Sequence, residues 1–128
     1  FVVADAVGSY TATLGDWGGN GPYGDYLDDY VEPTVVTAIA GTEPNTIVFK
    51  DLLSPGFDLT VSVDPATAIA VVDGSRVGSG FAGYTGAILN TSGTAFYFSC
   101  TGSFKATYKV CVDIGCFGTP VAIELQKN

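Results

Sequence analysis

The chain has 128 residues, 47% hydrophobic and 14% charged, with 13 acidic side chains against five basic ones and a net charge of −8. This is the reverse of a disordered composition, which is poor in apolar residues and rich in charge. The acidic balance argues against nucleic acid or an anionic membrane surface as partner, because both draw on Lys and Arg; Ca²⁺, neutral sugars and other proteins stay open.

The length fits one domain spanning residues 1–128. Its Val, Ile, Phe, Tyr and Thr content suits pleated strands. The chain opens Phe1-Val2-Val3-Ala4-Asp5-Ala6 without Met. Ala4-Asp5-Ala6 has the small-x-small form of a signal-peptidase site, and Phe1–Val3 reads equally as the start of a strand. No apolar run reaches the ~20 residues that a transmembrane helix needs.

Apolar or alternating runs bounded by Gly, Pro, Asn and Asp then follow in order. The expected strands are Val7–Leu14, Thr34–Ala40, Thr46–Asp51, Phe57–Val63, Thr67–Val72, Tyr84–Asn90, Thr94–Thr101, Ser103–Val112 and Thr119–Lys127. In the first, Tyr10, Ala12 and Leu14 share a face. Turn residues such as Gly41–Asn45, Ser54–Gly56, Asp64-Pro65, Asp73-Gly74 and Thr91–Gly93 separate them. Eight or nine strands joined this way predict an all-β antiparallel meander closed into a small barrel, with a β-sandwich as the alternative. In Thr94–Thr101, Phe96, Phe98 and Cys100 share one face and Ala95, Tyr97 and Ser99 the other. This reads as a core strand with a mixed outer face; the alternative is a ligand cavity lined by Phe96 and Phe98.

The stretch Gly15–Pro33 carries the single Trp, three Tyr and five acidic residues. One reading makes Trp17, Tyr23, Tyr26 and Tyr30 a platform for a partner protein or a sugar, since these side chains join a large apolar body to a polar tip. Another places Ca²⁺ among the oxygen ligands Asp16, Asn20, Asp25, Asp28, Asp29 and Glu32, although their spacing is not that of an EF-hand. A third is a surface loop held by its own aromatics. Asp28-Asp29 does not form a catalytic carboxylate pair, because adjacent side chains of an extended chain point opposite ways.

The chain contains no His. That removes Ser-His and Cys-His nucleophile pairs and the commonest transition-metal ligand. Phosphate-loop, dinucleotide and nucleophile-elbow motifs are also missing, and Gly78-Ser79-Gly80 lacks the strand-then-helix setting of a phosphate site. Nothing in the sequence indicates an enzyme. Cys111 and Cys116 flank an expected turn at Asp113–Gly115, where opposed strand residues come close enough for a disulfide in an oxidising compartment. Cys100 is then the odd thiol, expected to be buried in its strand.

The runs Val7-Gly8-Ser9-Tyr10-Thr11-Ala12-Thr13, Ile47-Val48-Phe49-Lys50-Asp51-Leu52, Val61-Ser62-Val63-Asp64 and Ala122–Lys127 resemble, in order, the strands of small secreted or lipid-anchored β-domains of Bacteroidota. The resemblance implies a lipocalin-like barrel or sandwich at the outer membrane or cell surface, often near glycan- or nutrient-uptake systems. The Gly15–Pro33 insertion, the Cys111/Cys116 hairpin and the lack of an N-terminal lipid-attachment Cys depart from the pattern. The expectation is a non-catalytic envelope protein acting through protein contact, as an accessory subunit of an outer-membrane assembly. The alternative is a module binding glycan or a small apolar molecule, with or without Ca²⁺.

Overall fold

The computed structural model describes residues 1–15, 35–54, 56–72, 74–76, 84–118 and 120–128. Among the described residues, one four-residue helix, α1 (Val3–Ala6), precedes eleven strands. These are β1 (Gly8–Gly15), β2 (Val35–Ala40), β3 (Thr46–Ser54), β4 (Phe57–Val63), β5 (Ile69–Val71), β6 (Ser75–Arg76), β7 (Ile88–Thr91), β8 (Ala95–Phe98), β9 (Ser103–Val112), β10 (Gly115–Cys116) and β11 (Val121–Lys127). All pairings are antiparallel. The order β11-β1-β2-β3-β4-β5-β8-β9 closes through a β11–β9 pairing into an eight-stranded barrel. Closure removes the exposed edges that a meander of this length would otherwise leave. β6, β7 and β10 are additions at one end.

The barrel interior follows from the two-residue period of a strand. Tyr10, Val36, Ala38, Ile47, Phe49, Leu59, Val61, Val63, Ala70, Ala95, Tyr97, Phe104, Ala106, Tyr108, Ile123 and Leu125 all belong to the buried core. Aromatic rings fill the space that the small residues leave. Phe49 meets Tyr10 edge-on at 5.2 Å and Phe104 at 5.3 Å. In β8 the inward residues are Ala95 and Tyr97, while Phe96 and Phe98 point outward and stack at 5.6 Å. The expected core strand is present with its faces reversed, and Phe96 and Phe98 line no interior cavity. Register decides this: Ala95 lies opposite Ala70, and Tyr97 opposite Phe104.

Two ends can be told apart. At the first, α1 packs on β2 and β3, and the register places the turns 41–45, 64–68 and 99–102 and the end of β11 at the same end of the barrel. Phe1–Val3, a candidate strand by sequence, here leads into α1. The Tyr10 hydroxyl donates to the Ala6 carbonyl at 2.7 Å and lies 2.7 Å from the Tyr97 hydroxyl. A carbonyl only accepts, so the Tyr10 proton is committed to Ala6 and Tyr97 is the donor of the second bond. Burial pushes the Tyr10 phenol far above its ordinary range. Burial also raises Tyr97, and the Asp5 charge adds to it. Phe1 covers Tyr97, ring edge to face, at 5.2 Å. The chain end locks on: Lys127 Nζ donates to the Asp5 carbonyl, and the Asn128 amide to Ser9 O at 2.9 Å. Gly102 has a φ of +65°, and a Cβ there would lie 2.7 Å from Lys127 Cβ, so glycine is required at this crossing.

At the opposite end β1 stops at Gly15, β2 starts at Val35, and β9 runs beyond the barrel between β7 and β10. The strand expected over Tyr84–Asn90 starts only at Ile88, and β6, two residues long, has no visible period in the sequence. Nearby, Asp51 adopts φ +54°, at an irregularity between Phe49 and Ser54 in the β3–β4 register. Its carboxylate accepts from the Gly56 amide at 2.8 Å, which holds the turn. Partial burial works to raise the neighbouring Asp58. The Lys50 ammonium at 2.6 Å and the Asp51 amide outweigh it and hold that carboxyl below its usual range.

Candidate partner surface

The aromatic set Trp17, Tyr23, Tyr26 and Tyr30 and the oxygen set Asp16, Asn20, Asp25, Asp28, Asp29 and Glu32 all lie outside the described residues. Among the described residues, no group of three or more His, Cys, Asp or Glu could hold a metal ion. No helix of the described residues is long and apolar enough to cross a membrane.

Among the described residues, one apolar surface lies on the outside of β5 and β8. Ile69 and Val71 are each 44% exposed and Phe98 42%. Phe96 sits between them, opposite Ile69 in the register and stacked on Phe98. The cause lies in the small inner residues where the two strands pair. Ala70 and Ala95 face each other inside the barrel, so the large side chains at alternate positions fall outside. Exposed apolar residues on adjacent strands form a continuous patch rather than scattered single residues.

The patch leads into a shallow groove of about 570 Å³ beside the 99–102 turn, lined by Ala68, Phe98, Cys100, Thr101 and Lys105 among others. Cys100 is exposed here, a correction to the expectation of a buried thiol. β8 ends at Phe98, whose carbonyl accepts from the Thr101 and Gly102 amides at 3.3 and 2.8 Å. The chain therefore turns before Cys100 can enter the ladder. The rim is polar: Lys105, opposite Phe96, faces Glu124 at 3.8 Å, and both are exposed.

A second, smaller apolar surface lies at the far end. Cys111 and Cys116 are disulfide-bonded across the β9–β10 hairpin, with Cα atoms 3.9 Å apart. The Asp113-Ile114 turn presents Ile114 at 85% exposure. Tyr84 meets Phe117 edge-on at 6.4 Å.

Reading the sequence by size of apolar side chain missed Ile69, Val71 and the outward turn of Phe96 and Phe98. The available signal was a small residue set between or beside large apolar ones, Ala70 between Ile69 and Val71 and Ala95 before Phe96, which marks the crowded inner positions. Ile114 carried its own signal, an apolar residue between Asp113 and Gly115 where a turn favours polar ones.

Comparison with family models, with curated proteins and with solved structures finds no match to this chain.

Proposed function

We propose that the protein is a non-catalytic, extracytoplasmic contact module, an accessory subunit held to an envelope or outer-membrane assembly through the outer face of β5 and β8. The observation that carries this reading is the patch of Ile69, Val71, Phe96 and Phe98 on the outside of a barrel. A chain of net charge −8 repels a second copy of itself, so the fitting partner is a different protein with an apolar patch and a basic rim. The Cys111–Cys116 bond favours an oxidising compartment. Side chains that fill the barrel interior favour surface contact over an enclosed small-molecule site. The resemblance to Bacteroidota lipocalin-like surface domains agrees with this location.

The test is affinity purification of the tagged protein from detergent-solubilised envelopes, followed by mass spectrometry. A stoichiometric partner is expected, retained by the wild type and lost from Phe98→Asp and Ile69→Asp. Both positions lie on the outer face of the barrel, so these variants should remain folded, which their cooperative urea transitions would show. Recovery of the protein alone, or retention of the partner by both variants, overturns the proposal.

A further inference from the structure

β9 serves two structures in succession. Its first half is barrel: β8 pairs with it as far as Lys105 and β11 as far as Tyr108. Its last residues are held by β7 on one side, Ile88 opposite Cys111, and by the two-residue β10 on the other. β10 is attached through two register pairs, the Phe117 amide donating to Val110 O at 2.8 Å, and the Cys111–Cys116 bond. That bond joins residues five apart, so it constrains the unfolded chain less than the closure of a long loop would. Cys116 is exposed, and Cys111, though buried, lies beyond the residues of β9 that pair with β8 and β11. The bond therefore closes the hairpin outside the barrel ladder.

What the hairpin shapes is an apolar hollow of about 190 Å³ lined by Tyr84, Val112, Ile114, Cys116 and Phe117. Cys116 supplies part of its wall. Cys111 is buried at 6% exposure, whereas Cys116 is exposed, so a thiolate from solvent has an approach to Cys116.

We propose that the Cys111–Cys116 disulfide is a redox-labile latch, whose reduction by a dithiol frees the β9–β10 hairpin and dismantles the Tyr84–Ile114–Phe117 surface while the barrel stays folded. One thiolate of the reductant attacks Cys116 Sγ, and the sulfur–sulfur bond breaks. Cys111 leaves as a thiolate and takes a proton. The second thiol of the reductant then closes its own disulfide and releases Cys116, so two electrons and two protons reach the protein. The proposal is independent of the β5–β8 contact face.

The folded chain is held in dithiothreitol buffers of graded redox poise without denaturant, alkylated with a maleimide and weighed. Two-dimensional NMR is recorded in parallel. Labels should rise from one, at Cys100, to three. The resonances of Phe49, Leu59 and Leu125 should hold while those of Tyr84, Ile114 and Phe117 shift. The Cys111→Ala/Cys116→Ala variant should reproduce the reduced spectrum. A label count that stays at one in fully reducing buffer overturns the latch. So does loss of the Phe49, Leu59 and Leu125 signals on reduction, or three labels with Tyr84, Ile114 and Phe117 unmoved.

Discussion

The two ends of the barrel solve the same problem, a strand end with polar backbone to satisfy, in opposite ways. The α1 end uses buried hydroxyls and the chain terminus: Tyr97 donates to Tyr10, Tyr10 to Ala6, Lys127 to Asp5, and Asn128 to Ser9. The far end uses a short disulfide-closed hairpin whose tip, Ile114, faces out while Val112 and Phe117 pack back against the core. Interlocked buried bonds couple the first end to the whole fold. A locally closed hairpin leaves the second free to change without the first. Substitutions should therefore have global effects at the α1 end and in the core beneath it, and local effects at the hairpin.

The largest expected effect sharpens this contrast from the centre. Phe49 is fully buried and bridges Tyr10 and Phe104. Phe49→Ala should cost about 3–5 kcal/mol, the loss of a large buried ring with only partial collapse of the cavity. Urea unfolding measures it. Ile114→Ala at the hairpin tip should leave the midpoint unchanged within error. A comparable loss from the two would break the distinction between the ends.

Next come the tyrosines, where the direction of donation makes an asymmetric prediction. Tyr10→Phe removes the donor to Ala6 and leaves the Tyr97 hydroxyl buried without its acceptor, at a cost of about 1–3 kcal/mol. Tyr97→Phe leaves the Tyr10–Ala6 bond intact and should cost less. The reverse order would show that Tyr97 is not the donor.

The same pair gives a pH dependence. Both phenols are raised by burial, so the unfolded chain ionises first. Their contribution is complete below the ordinary phenol value near 10 and is lost as pH climbs from there toward the folded values. Stability should fall above about pH 10 by up to about 1.4 kcal/mol per pH unit for each phenol. The Tyr10→Phe/Tyr97→Phe double variant should lose that slope, which chemical denaturation at pH 9 and pH 11 would read.

These cases also show what sequence can carry. Most strand positions were legible because alternation and turn residues repeat along most of the chain, whereas the choice between a closed barrel and a sandwich was not; the hairpin pairing of Cys111 with Cys116 followed from a short turn. The facing of β8 was not legible. Phe96 and Phe98 outrank Ala95 and Tyr97 in hydrophobicity, and only the cross-strand neighbours Ala70 and Phe104 decide which side turns in. Cys100 was misplaced because one residue decides where a strand yields to a turn, and Gly102 settles that through its contact with Lys127. The partner surface was legible least, since it consists of the apolar residues that the core rule assigns inward.

The smallest effect tests whether the turns at the α1 end are relaxed. Ala68 sits at φ +64°, a left-handed conformation that costs an L-residue with Cβ about 1 kcal/mol or more. It is held there from both sides: its amide donates to Asp64 O at 2.9 Å, and its carbonyl accepts from the Tyr97 amide at 3.0 Å. Glycine takes this conformation freely but adds entropy to the unfolded chain, an opposing term of roughly 0.5–1 kcal/mol. Ala68→Gly should therefore be neutral to slightly stabilising, by less than about 1 kcal/mol, while Ala68→Val, β-branched at the same φ, should destabilise. The opposite order in thermal unfolding would mean that the two backbone bonds do not fix Ala68 in solution. The 64–68 turn would then behave like the hairpin, as a local element rather than part of the interlocked end.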